Sequence, residues 1–111
     1  MSPIAVKLFS WQLLRALLFM HAKNLCHRDI KPHNILLDPM QHEIKVCDFG
    51  SAKKIEKDQG KSVSYICSRH YRAPELIFGS TEYDEKIDIW AAGCVIAEML
   101  RLKPLFPGSS T

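Results

Sequence analysis

A chain of 111 residues, 47% hydrophobic and 24% charged, has the composition of one ordinary folded domain, neither disordered nor fibrous. Its formal net charge of +3 is modest, and its cations gather beside acidic motifs rather than in a basic stripe interleaved with aromatics, so no nucleic-acid partner is expected. The four cysteines, Cys26, Cys47, Cys67 and Cys94, stand singly without a C-x-x-C pair, which disfavours a zinc knuckle or redox dithiol and fits a reducing compartment.

From Pro3 to His21 apolar residues recur at three- and four-residue spacing, and Ala5, Val6, Phe9, Leu13, Ala16, Leu17 and Met20 share one helical face. Trp11, Leu14 and Leu18 form a second apolar strip opposite, so this helix belongs inside something larger or against a partner. Pro3 suits its first turn and Asn24 its stop. Lys7, Gln12 and Arg15 interrupt the apolar run, so neither a membrane span nor a signal peptide is expected. His21, Cys26, His27 and His33 match no common metal-site spacing.

The chemistry concentrates in the next stretch, His27-Arg28-Asp29-Ile30-Lys31-Pro32-His33-Asn34. A carboxylate flanked by cations and an amide, in a loop stiffened by proline, is what transfer of a phosphoryl group to a hydroxyl needs. Asp29 can accept the hydroxyl proton, Lys31 can neutralise charge on the moving phosphate, and Asn34 can offer a carbonyl oxygen to a metal ion. Ile35-Leu36-Leu37 and Glu43-Ile44-Lys45-Val46-Cys47 then read as two strands around a turn at 38–41. Such a hairpin lets Asn34 enter one strand while Asp48 leaves the other, so two metal-binding side chains meet at one end. Asp48-Phe49-Gly50 adds a carboxylate for Mg²⁺, an aromatic to pack behind it, and a glycine that permits backbone swings.

Residues 51–71 are polar and charged, with Lys53, Lys54, Lys57 and Lys61, and predict a mobile surface segment before Ala73-Pro74-Glu75. Asp84 then caps a helix read from about Glu85 to Leu102 that carries Asp88, Trp90 and Gly93. That helix leaves almost no polar face, so it should be central, with Trp90 in the core and Asp88 tying down the loop backbone; Pro104, Pro107 and Gly108 end it.

His-Arg-Asp-x-Lys-x-x-Asn, Asp-Phe-Gly, Ala-Pro-Glu and Asp-x-Trp-x-x-Gly stand in the order and context of the eukaryotic Ser/Thr protein kinases, whose C-terminal lobe this chain resembles. Cys47-Asp48-Phe49-Gly50-Ser51-Ala52-Lys53 and Val63-Ser64-Tyr65-Ile66-Cys67-Ser68-Arg69 are similar to the glycogen synthase kinase-3, or shaggy, branch. The resemblance implies an α+β, mainly α fold: a helix, the catalytic loop, a β-hairpin, the activation segment and a buried helix. It makes residues 1–111 a partial kinase domain, with the N-terminal lobe and the last C-terminal-lobe helices outside it.

The same resemblance implies ATP and Mg²⁺ as cofactors and proteins, some already phosphorylated, as substrates. Asp29 would be the base, with Lys31 and Ser68 beside it, and Asn34 and Asp48 the metal ligands. Leu36 would lie under the adenine, with Cys47 on the nucleotide side. Tyr65 would be a regulatory phosphorylation site whose phosphate Arg69 and Arg72 receive, and Arg28 and Lys53 would grip a phosphate on the substrate. His27 would pack under Phe49. His70 departs from the family's aromatic at that position, and Glu75 would normally pair with an arginine further along.

No glycine-rich phosphate cover and no Val-Ala-Ile-Lys lysine occur in these residues, so the isolated chain is expected to be inactive. The family's scaffold-binding surface lies largely beyond residue 111. A non-catalytic lobe that binds phosphorylated substrates or regulators, and an inert truncated duplicate, remain the alternatives to an enzyme segment. The expected location is the cytoplasm or the nucleus.

Overall fold

Ser2 begins the first helix: its Oγ accepts the Ala5 amide at 3.1 Å, and Pro3 occupies the first turn, where its missing N–H costs nothing. The computed structural model describes residues 2–38, 40–55 and 66–102. Helix α1 runs Pro3–His21, the span read from the periodicity, and buries Val6, Phe9, Leu13, Leu17 and Met20. The opposite strip stays outside, with Trp11 57% and Leu18 70% exposed. Arg15 covers part of it by lying 4.9 Å over the Trp11 ring. By length and mean hydropathy α1 could cross a membrane. Here its buried stripe packs against a second long helix, as the core helix of a globular domain does.

The expected hairpin is present. Strand β2 was read as Ile35-Leu36-Leu37 and runs Ile35–Asp38; β3, which follows β1 (Leu25–Cys26) and β2 in chain order, runs Glu43–Val46. The two pair antiparallel, Ile35 opposite Val46 and Asp38 opposite Glu43. Asp38 closes the turn, its Oδ1 accepting the amides of Met40 and Gln41 at 3.0 and 3.3 Å.

From α1, the Gln12 side-chain amide acts as a short extra strand. It donates to the His42 carbonyl at 2.8 Å and accepts the Ile44 amide at 2.7 Å. Gln12→Leu should therefore cost about 1–2 kcal/mol, because one peptide group just before β3 and one within it lose partners at a site that water can partly reach. A lower thermal midpoint with faster exchange of the Ile44 amide is the expected result. An unchanged Ile44 exchange rate would show that the clamp does not hold the hairpin.

Nothing in the residue pattern marks the second sheet, in which β1 pairs antiparallel with β4 (Lys53–Lys54). Two-residue strands are too short to carry an alternating pattern.

A single turn of helix, α2, spans Pro74–Ile77, and α3 spans Lys86–Arg101. Asp84 was expected to cap this helix, but the N-cap is Glu85, which makes no side-chain cap bond; Asp84 stands one residue earlier, its Oδ1 accepting the Lys86 amide at 3.0 Å. Leu102 ends α3 in the left-handed region at φ 61°. The core of α3 is a stripe of Ile87, Asp88, Ala91, Ala92, Cys94 and Val95. Trp90 was read as core but is 39% exposed, alongside exposed Ile89 and Leu100. At about 100° per residue it falls off the stripe that the small residues Ala91 and Ala92 bring against α1. The described residues are thus mixed and mainly helical, with two small sheets.

Two apolar clusters hold these elements. Leu13, Leu17 and Met20 of α1 meet Ala91, Ala92, Cys94 and Val95 of α3, with Ile30 and Tyr71 between. Cys26, Ala73, Leu76, Tyr83 and Ile87 form the second. Ile30 is fully buried. One apolar side chain thus pins the middle of the loop 27–34 while Asp29 and Lys31 on either side stay accessible, at 19% and 27%.

Candidate active site

The loop after β1 is held by its backbone. Asp88, 1% exposed in the first turn of α3, accepts the His27 amide at 2.8 Å on Oδ2 and the Arg28 amide at 2.9 Å on Oδ1. A buried carboxylate needs such partners, and the N-terminal turn of a helix favours its charge. Arg28 itself sits at φ 72°, a region costly for a residue with a Cβ, so the loop is bent where Asp88 grips it.

His27 is fully buried and joins two parts of the site. Its Nδ1 accepts the Asp29 amide at 3.1 Å, so the ring proton lies on Nε2, which donates to the Cys47 carbonyl at 2.9 Å. The Phe49 ring meets it edge-on, 5.2 Å between centroids, the packing expected from the sequence.

The Asp29 carboxylate has neighbours on several sides. Ser68 Oγ donates to Oδ1 at 3.1 Å, Asn34 Nδ2 donates to Oδ2 at 3.2 Å, and Lys31 Nζ lies 3.7 Å from Oδ2. Asn34 Nδ2 also reaches the Asp29 carbonyl at 2.8 Å. With its amide nitrogen committed to Asp29, Asn34 keeps its oxygen for a cation. The Asn34 carbonyl accepts the Cys47 amide at 2.8 Å, so the hairpin closes immediately before Asp48.

Asp48 adopts the left-handed conformation at φ 59°, and its Oδ1 accepts the Gly50 amide at 3.2 Å. Gly50 was expected to serve backbone swings. A Cβ there would stand 3.2 Å from Asp48 Oδ1, so the glycine also leaves room for that carboxylate. Among the described residues no group of three or more His, Cys, Asp or Glu could hold a metal. The Asn34 amide oxygen and the second Asp48 carboxylate oxygen are hard donors of the kind Mg²⁺ takes, and Mg²⁺ typically needs few protein ligands.

Arg28 points away from Asp29: its Nε donates to the Ser51 carbonyl at 2.6 Å and its Nη1 to the Tyr83 hydroxyl at 3.2 Å. Lys53 is the ladder partner of Cys26, two residues before Arg28 in the chain. Arg72 straps its own loop, donating to the carbonyls of Ile66 and Cys67 at 3.2 and 3.0 Å. Tyr71 is anchored by its hydroxyl to Glu98 of α3; burial and that carboxylate hold its phenol above the usual range. Tyr65 lies outside the described residues. Leu36 is 58% exposed on the hairpin, and Cys47 is half-buried and engaged through its backbone. An apolar cavity of about 310 Å³ between α1, the hairpin and α3 has none of Asp29, Lys31, Asn34 or Asp48 in its lining.

Sequence reasoning missed the His27 bridge, the Gln12 clamp and the Tyr71–Glu98 anchor. The thiol chemistry is also set by tertiary environment. Burial, and next the Asp29 charge, push the Cys67 thiol up to about 12, and burial, and next Asp88, raise Cys26. Thiolate is the reactive form, so at pH 8.5 Cys67 should alkylate about 10³-fold more slowly than a free thiol. Its rate should climb only as pH approaches that raised value. Mass-spectrometric labelling checks this, and rapid modification of Cys67 at pH 8.5 in the folded chain would contradict it.

The family model for the protein kinase domain matches residues 1–111. Glycogen synthase kinase 1 of Pyricularia oryzae is 57% identical over 110 residues, 99% of this chain but 28% of that relative's length. A loop carboxylate held by lysine, serine and asparagine and a match over the full length lead to one conclusion: the chain belongs to the protein kinase family.

Proposed function

We propose that the chain is the part of a Ser/Thr protein kinase C-terminal lobe that carries the phosphoryl-transfer site, in an enzyme of the glycogen synthase kinase-3 type that phosphorylates Ser or Thr of proteins with ATP. The observation that carries this reading is Asp29, its carboxylate within 3.1 to 3.7 Å of Ser68, Asn34 and Lys31. Asp29 takes the proton of the incoming hydroxyl as its oxygen attacks the phosphate, and Lys31 offsets charge there. Ser68 and Asn34 hold the carboxylate in place. Asn34 and Asp48 would hold Mg²⁺, which when bound supplies charge neutralisation at the ATP phosphates. Leu36 and Cys47 lie on the nucleotide side in this reading. Tyr65 is the regulatory phosphorylation site.

Arg28, two residues past β1, and Lys53, on its partner strand β4, favour substrates already carrying a phosphate. The four thiols are unpaired, which supports a cytoplasmic or nuclear protein. These residues contain no glycine-rich phosphate cover, and positioning by both lobes contributes most of the rate, so the isolated chain is expected to transfer nothing.

The test is transfer of labelled phosphate from ATP by the complete kinase domain. Mg²⁺-dependent incorporation into Ser or Thr is expected, with a pre-phosphorylated peptide preferred and the preference lost on Arg28→Ala with Lys53→Ala. A folded complete domain that transfers no label would overturn the reading. Turnover by the isolated 111 residues that vanishes in Asp29→Asn would overturn the fragment's inactivity.

A further inference from the structure

We propose that Tyr83 is a positioning residue of the substrate-phosphate grip: its hydroxyl, mounted on a ring buried in the second apolar cluster, holds the Arg28 guanidinium in the orientation in which it meets a phosphate on a protein substrate. The functional consequence rests on the reading of Arg28 and Lys53 above; the geometry does not.

Arginine carries its N–H donors in one rigid plane at the end of a flexible stem. In this chain two nitrogens of that plane are anchored. Arg28 Nε donates to the Ser51 carbonyl at 2.6 Å, and Nη1 donates to the Tyr83 hydroxyl at 3.2 Å. One bond would leave the plane free to turn about it, whereas bonds from two different nitrogens set its direction and its tilt together. Nη2 and the other Nη1 hydrogen are not engaged by any described residue, and side by side they form a fork that matches two phosphate oxygens. Arg28 stays half-buried rather than enclosed.

The two anchors differ in kind. Ser51 lies two residues before Lys53, and the ladder pair Cys26–Lys53 ties the same two segments, so the Nε bond keeps Arg28 beside the strand that carries the other cation. Tyr83 reaches Arg28 from the loop between α2 and α3, 55 residues away. Its ring is 8% exposed and belongs to the cluster of Cys26, Ala73, Leu76 and Ile87. Packing there uses the ring, while the oxygen serves the guanidinium. A hydroxyl on a core-packed ring has little freedom of its own, so it orders Arg28 before any ligand arrives. Without it the incoming phosphate must immobilise that long side chain, and the lost freedom subtracts from affinity by up to about tenfold.

The measurement is kcat/KM of the complete kinase domain for a peptide bearing phosphoserine, divided by kcat/KM for the same peptide unphosphorylated. Tyr83→Phe keeps the ring and removes the oxygen. It should lower this ratio about tenfold, through the KM of the phosphorylated peptide, towards the floor set by Arg28→Ala with Lys53→Ala. A phenylalanine variant that keeps the wild-type ratio while the double alanine variant loses it would overturn the proposal and leave the phosphate reading standing. A double variant that keeps the ratio would overturn that reading instead, and with it the functional consequence drawn here. A loss that falls on kcat or on the KM for ATP, with the ratio intact, would reduce Tyr83 to core packing.

A second readout requires no phosphoryl transfer. In the full 111-residue chain, ¹⁵N exchange spectroscopy of the guanidinium groups should show the Arg28 Cζ–Nε bond turning about tenfold or more slowly than that of exposed Arg101, with most of the difference gone in Tyr83→Phe. Equal rates for the two arginines in the wild-type chain would overturn the proposal even if the variant does not fold. So would a folded phenylalanine variant in which Arg28 turns as slowly as before, because Ser51 would then be holding it alone.

Discussion

Replacing Asp29 by asparagine should lower kcat of the complete kinase domain by about 10²–10⁴-fold, the usual worth of a general base. Asparagine has nearly the same shape, and its oxygen can still accept from Ser68 Oγ, which lies 3.1 Å from the native carboxylate. What disappears is the negative charge beside Lys31 Nζ, at 3.7 Å, and the capacity to take a proton. The side chain is 19% exposed, and the adjacent Ile30 rather than Asp29 supplies the buried contact, so the thermal midpoint should move little. Steady-state rates with saturating ATP, paired with a melting curve, check both halves. A folded Asp29→Asn domain within threefold of wild-type kcat would remove Asp29 from the role of base.

Replacing Asp88 by alanine should be the most destabilising single change in the described part of the chain, by about 3–5 kcal/mol. The carboxylate is 1% exposed and holds the His27 amide, the Arg28 amide and the His21 ring. Its loss leaves two buried peptide N–H groups and a ring donor without partners, each costing about 1–3 kcal/mol where water does not enter. Arg28 then has nothing opposite its amide to keep it at φ 72°. Chemical denaturation followed by circular dichroism reads the effect, and His21→Leu should lie between Asp88→Ala and wild type. A loss under 1 kcal/mol for Asp88→Ala would mean that water or a rearranged side chain replaces the carboxylate.

Much of the site was legible because its parts are close in sequence. Asp29, Lys31 and Asn34 fall within six residues, and a tight loop around buried Ile30 brings their side chains together without distant help. The hairpin was legible for a related reason: Asp38 closes the turn, and the turn sets the register that returns Cys47 to Asn34. The buried face of α1 followed from spacing alone, since a helix repeats every 3.6 residues. Trp90 shows where that reasoning fails. A helix apolar all round has no preferred face in its own sequence, and only the packing of Ala91 and Ala92 against α1 decided that Trp90 stays half outside.

The sequence by itself determined the chemistry available to the loop, the first helix and the hairpin, because each depends on residues a few positions apart. Tertiary structure alone decided that Gln12 clamps β3, that the His27 ring bridges Asp29 to Cys47, that Lys53 pairs with Cys26, and that His21 meets Asp88 across 67 residues. The physical reason is the reach of the interactions. Periodicity and turns are written locally, whereas a side chain bonded to a distant backbone exists only after the helices pack and bring its partner within about 3 Å.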